Sequence, residues 1–422
     1  MTETPQPESQ GGRYCFGSPA HRHFLLTDAQ RQFDFFRASL RPEGGFFVLR
    51  HDGTPQQSAV QELHTTTRLV HSYALGALAG FADCAQIIDQ GLHFLQTRHR
   101  DSVYGGYVWA TEGASTRDGR KIGYGHMFVL LAAASAQAAG HPGAPRLMAD
   151  IEAVLESRFW DATHGLFKEE WQQDWAPFST YRGMNSNMHA VEALLAAYEV
   201  TGREVFLTRA GGIIDFFLNR IAAAHGWRFA EHYTQDWQID PDYQGDPVFR
   251  PAGTTPGHAF EWARLVLQYW DLCGRRDGGL LSGVRAVVAQ ALADGWDPRR
   301  GGLYYTLCAD GRPDIRDRYW WPLTEALNVL AALLKCDPQA SDAAWYQRMW
   351  HFADGHFIDH KQGGWFPELD ANGTPTEKQF TGKPDIYHSV QAVLFPLCAG
   401  VSRLYEGLRT LAAEPHGDDV FL

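Results

Sequence analysis

The chain has 422 residues, 45% of them hydrophobic and 20% charged, with 37 Lys and Arg against 49 Asp and Glu, a net charge of −12. That balance argues against nucleic acid or an anionic membrane as a partner, since either calls for a basic face. No run of about 18 apolar residues exists to span a membrane, and the polar, acidic first dozen residues lack the basic and apolar parts of a secretory signal. The six cysteines (15, 84, 273, 308, 336 and 398) form no C-x-x-C pair. They are expected to be buried free thiols in a reducing cytoplasm.

In chain order, residues 1–18 are rich in Pro, Gly and Ser and read as a mobile N-terminal segment. Thr27–Leu40 reads as a helix, with Thr27 as its N-cap and Gln30 as the capping-box partner. A glycine-then-aromatic turn follows at Gly44-Gly45-Phe46 and returns five times. Its last glycines fall at 45, 106, 165, 226, 302 and 364, spaced by 61, 59, 61, 76 and 62 residues. A second beat runs through polar helix starts at His64, His126, His189, His258, Glu325 and His388, in steps of 62, 63, 69, 67 and 63. After each start comes a helix that is apolar all round, as in Met127–Ala139 or Ala326–Leu334, and then an amphipathic one, as in Leu147–Phe159, Arg203–Arg220 or Ala343–Phe357. A helix apolar on every side is buried, whereas an amphipathic one faces water. Six of each predict an all-α fold, an (α/α)6 barrel of six inner and six outer helices, with hairpins or extended turns at one rim. The barrel is expected to span 19–412 as a single domain, with 413–422 as a tail. The Trp227–Tyr233 segment alternates like a strand.

Every inner helix then starts at the same rim, and the polar first turns line one mouth. The inventory is Arg68, Tyr124, His126, Asn185, His189, Glu192, His258, Glu261, Trp321, Glu325 and His388. A single histidine is more often a core imidazole satisfied by a neighbour; several in register at one rim suggest chemistry. A helix start also favours the neutral imidazole, which can act as a base.

Three chemistries compete. His189-x-x-Glu192 and His258-x-x-Glu261 each place N and O donors on one helical face, as a metal site would. The same carboxylates can instead accept the second ring N–H and fix the tautomer. Glycoside hydrolysis would use Glu261 and Glu325 as carboxylates roughly 5–10 Å apart, but it leaves the histidines idle. Proton transfer next to a carbonyl needs a base titrating near neutrality, and histidine's ordinary value of about 6.5 suits it. It also needs a cation for the developing oxyanion, which Arg68 can supply. Proton transfer uses the inventory most fully.

Six stretches, in order through most of the chain, resemble the N-acylglucosamine 2-epimerase superfamily. They are Leu63-His-Thr-Thr-Thr-Arg68, Tyr124-Gly-His-Met-Phe128, Tyr181-Arg-Gly-Met-Asn-Ser-Asn-Met-His189-Ala-Val-Glu192, Gly253-Thr-Thr-Pro-Gly-His258-Ala-Phe-Glu261-Trp, Trp321-Pro-Leu-Thr-Glu325 and Asp385-Ile-Tyr-His388. The likeness is greatest to the aldose–ketose isomerase branch, which holds mannose and sulfosugar isomerases. It implies an (α/α)6 barrel, a monosaccharide substrate, no metal or organic cofactor, and interconversion of mannose and fructose through a cis-enediolate. By the same resemblance His388 shuttles the proton between C2 and C1, His258 opens the pyranose ring, and Arg68 contacts O1 and O2. Tyr124, Asn185, His189, Glu261, Trp321 and Glu325 line the pocket. Where sulfosugar isomerases carry glutamines this chain has Pro367 and Pro384, which favours a neutral hexose. A sugar 2-epimerase on the same scaffold is the alternative, followed by a glycoside hydrolase or a non-catalytic sugar binder.

Overall fold

The computed structural model describes residues 12–245 and 250–414. Its helices form two concentric rings. The inner ring consists of α2 (Leu63–Leu78), α4 (Gly123–Ala138), α6 (Met184–Thr201), α8 (Pro256–Leu272), α10 (Trp320–Cys336) and α12 (Tyr387–Leu394). Each packs on the next, and α12 on α2 closes the circle. The outer ring consists of α1 (Pro19–Phe36), α3 (Cys84–Phe94), α5 (Ala144–Val154), α7 (Glu204–Ile214), α9 (Gly278–Gly295) and α11 (Ala340–Phe352). Each outer helix packs on one inner helix, with α1 on α12. A last helix, α13 (Leu404–Ala413), packs on α2. The (α/α)6 barrel expected from the two beats is therefore the fold, with α4 and α10 buried along almost their whole length. No helix among the described residues is long and apolar enough to cross a membrane.

The mouth is laced by six short antiparallel pairings, each joining the segment before an inner helix to the next repeat. Val60–Glu62 pairs with Ala110–Glu112, Lys121–Ile122 with Glu170–Trp171, Arg182–Gly183 with His232–Tyr233, and Arg318–Tyr319 with Glu368–Leu369. Single bridges, Thr254 to Leu307 and Lys383 to Leu49, supply the other two rungs. The strand expected over Trp227–Tyr233 shrinks to His232–Tyr233 because only those residues find a partner. The glycine-aromatic turns form hairpins in five repeats; at Gly226 the chain makes a tight helical turn instead.

A recurring staple holds these turns. A side chain from the next inner-helix start accepts the N–H of the turn's aromatic residue: Gln61 Oε1 from Phe46 at 2.6 Å, His126 Nε2 from Tyr107 at 3.0 Å, and Asn187 Oδ1 from Phe167 at 2.8 Å. The glycines make room for it. At Gly106, with φ +69°, a Cβ would lie 2.6 Å from Trp175 and 3.2 Å from His126 Nε2. His126 Nδ1 in turn donates to the Ile122 carbonyl at 2.8 Å. The expectation that His126 joins the rim chemistry is thus corrected: both ring nitrogens are consumed in stapling the turn.

Three further readings change. The helix expected over Thr27–Leu40 begins eight residues earlier, because Ser18 caps it through the His21 N–H and Pro19 occupies its first position. Residues 12–18 form turns over the barrel wall, where Tyr14 is buried and its hydroxyl donates to Asp354 at 2.5 Å. Residues 1–11 and 415–422 lie outside the described residues, and α13 carries the order to Ala413. All six cysteines are free, but only Cys84 and Cys398 are buried; the other four are half-buried.

The buried histidines dictate an acid response. Burial lowers His21, His71 and His99 to about 4 and His126 to about 3. Between the ordinary value of 6.5 and those values the unfolded chain binds protons that the folded chain refuses, so stability is lost as pH falls through that window. Each pH unit costs at most about 1.4 kcal/mol per histidine. Calorimetry should show the unfolding midpoint dropping steeply from pH 6.5 to 4, with a shallower slope in His126→Gln.

Candidate active site

The chamber sits at the mouth of the inner ring, lined by His64, Arg68, Tyr124, Asn185, His189, His258, Glu261, Trp321, Asp385 and His388 together with Tyr305, Trp320, Phe380 and Pro384. Eight of the nine residues expected in the site line it; Glu325 lies one layer behind, against His388. The residues that cap the six inner helices (Glu62, Ile122, Gly183, Thr255, Tyr319 and Ile386) make no side-chain capping bond. The positive helix ends therefore face the mouth.

Three imidazoles are each tied to a carboxylate. His388 Nδ1 is 2.9 Å from Glu325 Oε1, His258 Nδ1 is 2.9 and 3.0 Å from the two oxygens of Glu231, and His189 Nδ1 is 3.1 Å from Glu192 Oε2. With Nδ1–H given to the carboxylate, Nε2 is the basic nitrogen of each ring. Trp321 packs against both His258 and His388, with ring centroids 4.9 and 5.7 Å away and planes inclined by 36° and 34°. The two imidazoles thus share one indole as a neighbour.

The carboxylate assignments correct one expectation. Glu261 shares a helical face with His258 but does not orient it; Glu231, from the segment between α7 and α8, does. Glu261 instead approaches His189 Nδ1, at 3.7 Å. Glu325, expected to line the pocket, instead stands behind it on His388 Nδ1.

Cations hold these carboxylates. Arg264 Nε donates to Glu325 Oε2 at 3.2 Å and its Nη2 to Glu192 Oε1 at 3.3 Å; the Tyr387 hydroxyl also donates to Glu192. Burial alone would raise Glu325 and Glu192, but Arg264 and the histidine partners outweigh it and hold both below the ordinary range. Arg68 Nη1 donates to Asp385 Oδ2 at 2.9 Å and its Nη2 to the Tyr124 hydroxyl at 2.6 Å. Its guanidinium lies 4.8 and 4.9 Å from the ring centres of Phe128 and Tyr387. Burial pulls His388 below 6.5 despite the opposing pull of Glu325, which favours the neutral imidazole. His189 falls to about 4 by burial, with Glu192 opposing.

The residues missed on sequence grounds are Glu231, Asp385 and Arg264, with His64, which was seen as a helix start but not as a site residue. His64 stacks on Trp109 with centroids 5.1 Å apart and planes at 14°. Among the described residues one group, His189, Glu192 and Glu261, brings donor atoms within 4.8 Å of one another as a metal site would. An ion there would compete with Arg264, which already bonds Glu192.

Imidazole–carboxylate pairs around a closed mouth on an (α/α)6 barrel define an enzyme of the isomerase and epimerase type. The sequence profile of N-acylglucosamine 2-epimerase (GlcNAc 2-epimerase) matches residues 44–392, and the chain belongs to that family. It is 40% identical over 400 residues to a D-mannose isomerase of Thermobifida fusca, covering 93% of this chain and 98% of that one. To a D-mannose isomerase of Pseudomonas cannabina pv. alisalensis it is 39% identical, covering 90% and 93%. A crystal structure of D-mannose isomerase superposes with a TM-score of 0.85 at 32% identity, over 90% of this chain and 99% of that one. A cellobiose 2-epimerase of Spirochaeta thermophila, at 21% identity and a TM-score of 0.80 over 92% and 96% of the two chains, shares the fold.

Proposed function

We propose that the protein interconverts D-mannose and D-fructose in the cytoplasm. The observation that carries this is the placing of two imidazoles, His258 and His388, each backed by a carboxylate, against one indole with Arg68 in the same chamber. The near-full-length likeness to D-mannose isomerases gives the substrate class. Pro384 lines the chamber and offers no side-chain donor, which suits a neutral hexose over a sulfonate.

In this reading the sugar lies on Trp321. His258 Nε2 moves the proton between the anomeric hydroxyl and the ring oxygen, and Glu231 stabilises the imidazolium that forms. His388 Nε2 then takes the C2 proton of the open aldehyde and returns it to C1. Arg68 holds the oxygens of the cis-enediolate, steadied by Asp385 and Tyr124. Tyr124, Asn185 and His189 bind the remaining hydroxyls, and Glu325 sets the tautomer of His388.

Nothing in this sequence of steps calls on a metal. The test is to chelate the protein exhaustively, supply mannose and analyse the sugars formed. Fructose is expected, at the same rate as before chelation. Glucose would favour the 2-epimerase, because bases on two sides of C2 can invert it. Neither product would overturn both, and recovery only on adding a divalent ion would move the chemistry to His189, Glu192 and Glu261.

A further inference from the structure

An aldose–ketose exchange must move two protons. One passes from C2 to C1; the other leaves the O2 hydroxyl as the ketone forms and must appear on O1. His388 accounts for the first, with Arg68 on the oxygens, and a guanidinium does not give up a proton at working pH. The second needs a group that can give and take a proton at oxygen.

Glu261 has the geometry. It lines the chamber, is only 1% exposed, and its Oε1 has no hydrogen-bond partner. One turn further along α8, Arg264 donates to Glu325 and Glu192, the carboxylates of the two neighbouring inner helices. His189 Nδ1, 3.7 Å from Glu261, is already bonded to Glu192. Three carboxyl groups thus crowd one guanidinium, and Oε1 of the third is left without a hydrogen bond. Like charges at this range favour the acid form of one member. Burial, then Glu325 and Glu192, raise Glu261 well above the carboxylate range against the pull of Arg264 and Arg68. From the other sides the chamber sets around it Arg68 on α2, the hydroxyls of Tyr124 on α4 and Tyr387 on α12, and the imidazoles of His388 and its own helix's His258.

We propose that Glu261 is a neutral carboxylic acid that carries the sugar's hydroxyl proton from O2 to O1. The proposal rests on the aldose–ketose reading above. When His388 removes the C2 proton, the C2–H pair becomes the C1=C2 bond and the carbonyl π pair moves to O1. Glu261 gives its proton to O1 and becomes a carboxylate. It then takes the proton of O2–H as C2=O forms and the C1=C2 pair captures the proton held on His388. One proton has left Glu261 and one has arrived, so the acid is restored with no co-reactant.

Glu261→Gln keeps the shape and a donor but cannot pass a proton on. Its isomerisation kcat is expected to fall roughly 10²–10⁴-fold, the usual range for a lost acid–base group. Deuterium at C2 of mannose should still wash out into water, faster than fructose appears, because His388 still forms the enediolate. Independently of any substrate, the infrared difference between wild type and Glu261→Gln at neutral pH should contain a carboxylic-acid C=O stretch. In wild-type protein labelled with ¹³C-glutamate that stretch should shift, which reads the state of the group even if the variant folds poorly. Near-normal isomerisation in Glu261→Gln, equal loss of wash-out and isomerisation, or carboxylate bands alone would each overturn the proposal. If wild-type protein makes no fructose from mannose, the substrate reading fails instead, and the infrared result still decides the form of Glu261.

Discussion

His388→Asn is expected to stop exchange of the C2 proton of mannose and the C1 proton of fructose, with a loss of roughly 10²–10⁴-fold or more in turnover. Asparagine keeps a polar group of similar reach near Glu325, so the fold and sugar affinity should survive. Because His388 is buried against Trp321 and bonded only through Nδ1, its Nε2 proton is partly shielded from water between the two transfers. Mannose deuterated at C2 should therefore give fructose that carries some of that deuterium at C1. A non-catalytic sugar binder would keep its affinity in this variant and have no turnover to lose. Exchange that persisted in His388→Asn but vanished in His258→Asn would reverse the two roles.

His258→Asn and Glu231→Gln should fail at a different step. Both are expected to lose catalysed interconversion of the α and β anomers of mannose, which requires only ring opening and closing. Exchange NMR between the anomer signals measures it without any isomerisation. Glu231→Gln leaves an acceptor for Nδ1–H but removes the negative charge that stabilises the imidazolium. Its kcat should drop with little change in KM, as for an interaction realised in the transition state. His388→Asn should keep anomer exchange intact. If Glu231→Gln exchanged anomers at the wild-type rate, the 2.9 Å bond to His258 would be structural only.

The two six-fold beats were enough to read the barrel, because burial imposes periodicity that survives in one sequence. They also placed Arg68, Tyr124, Asn185, His189, His258, Glu261, Trp321 and His388 at one mouth, since residues in the first turn of parallel neighbours must face the same opening. What did not show was the partner of each group. Spacing of three along a helix says that His258 and Glu261 share a face, yet the orienting carboxylate comes from Glu231, 27 residues upstream in the Trp227–Tyr233 segment, whose alternation does not say which helix it will meet. Arg68 and Asp385 stand 317 residues apart, and no local pattern can pair them. His126 looks like its fellow histidines because the staple it makes occupies the same register as the groups proposed for catalysis. The start of α1 was misplaced because Ser18-Pro19 resembles a loop in composition although it is also a good helix start.

The closure of the inner ring, α12 against α2 with Arg68 on Asp385, bears on how the chain comes to life during synthesis. Contacts between the first and last repeats have the longest loop to close, and they form only after nearly all the chain is available. His388 lies in that last inner helix, and its carboxylate in the one before. The five helical pairs from α2 to α11 are thus synthesised before His388 and before Asp385, the carboxylate that holds Arg68. On the reading proposed above, isomerisation is expected only once this last inner helix, eight residues long, seats itself between its neighbours. Chains truncated before this helix are expected to keep most of the wall and to isomerise no sugar, which a sugar assay on the truncated protein checks.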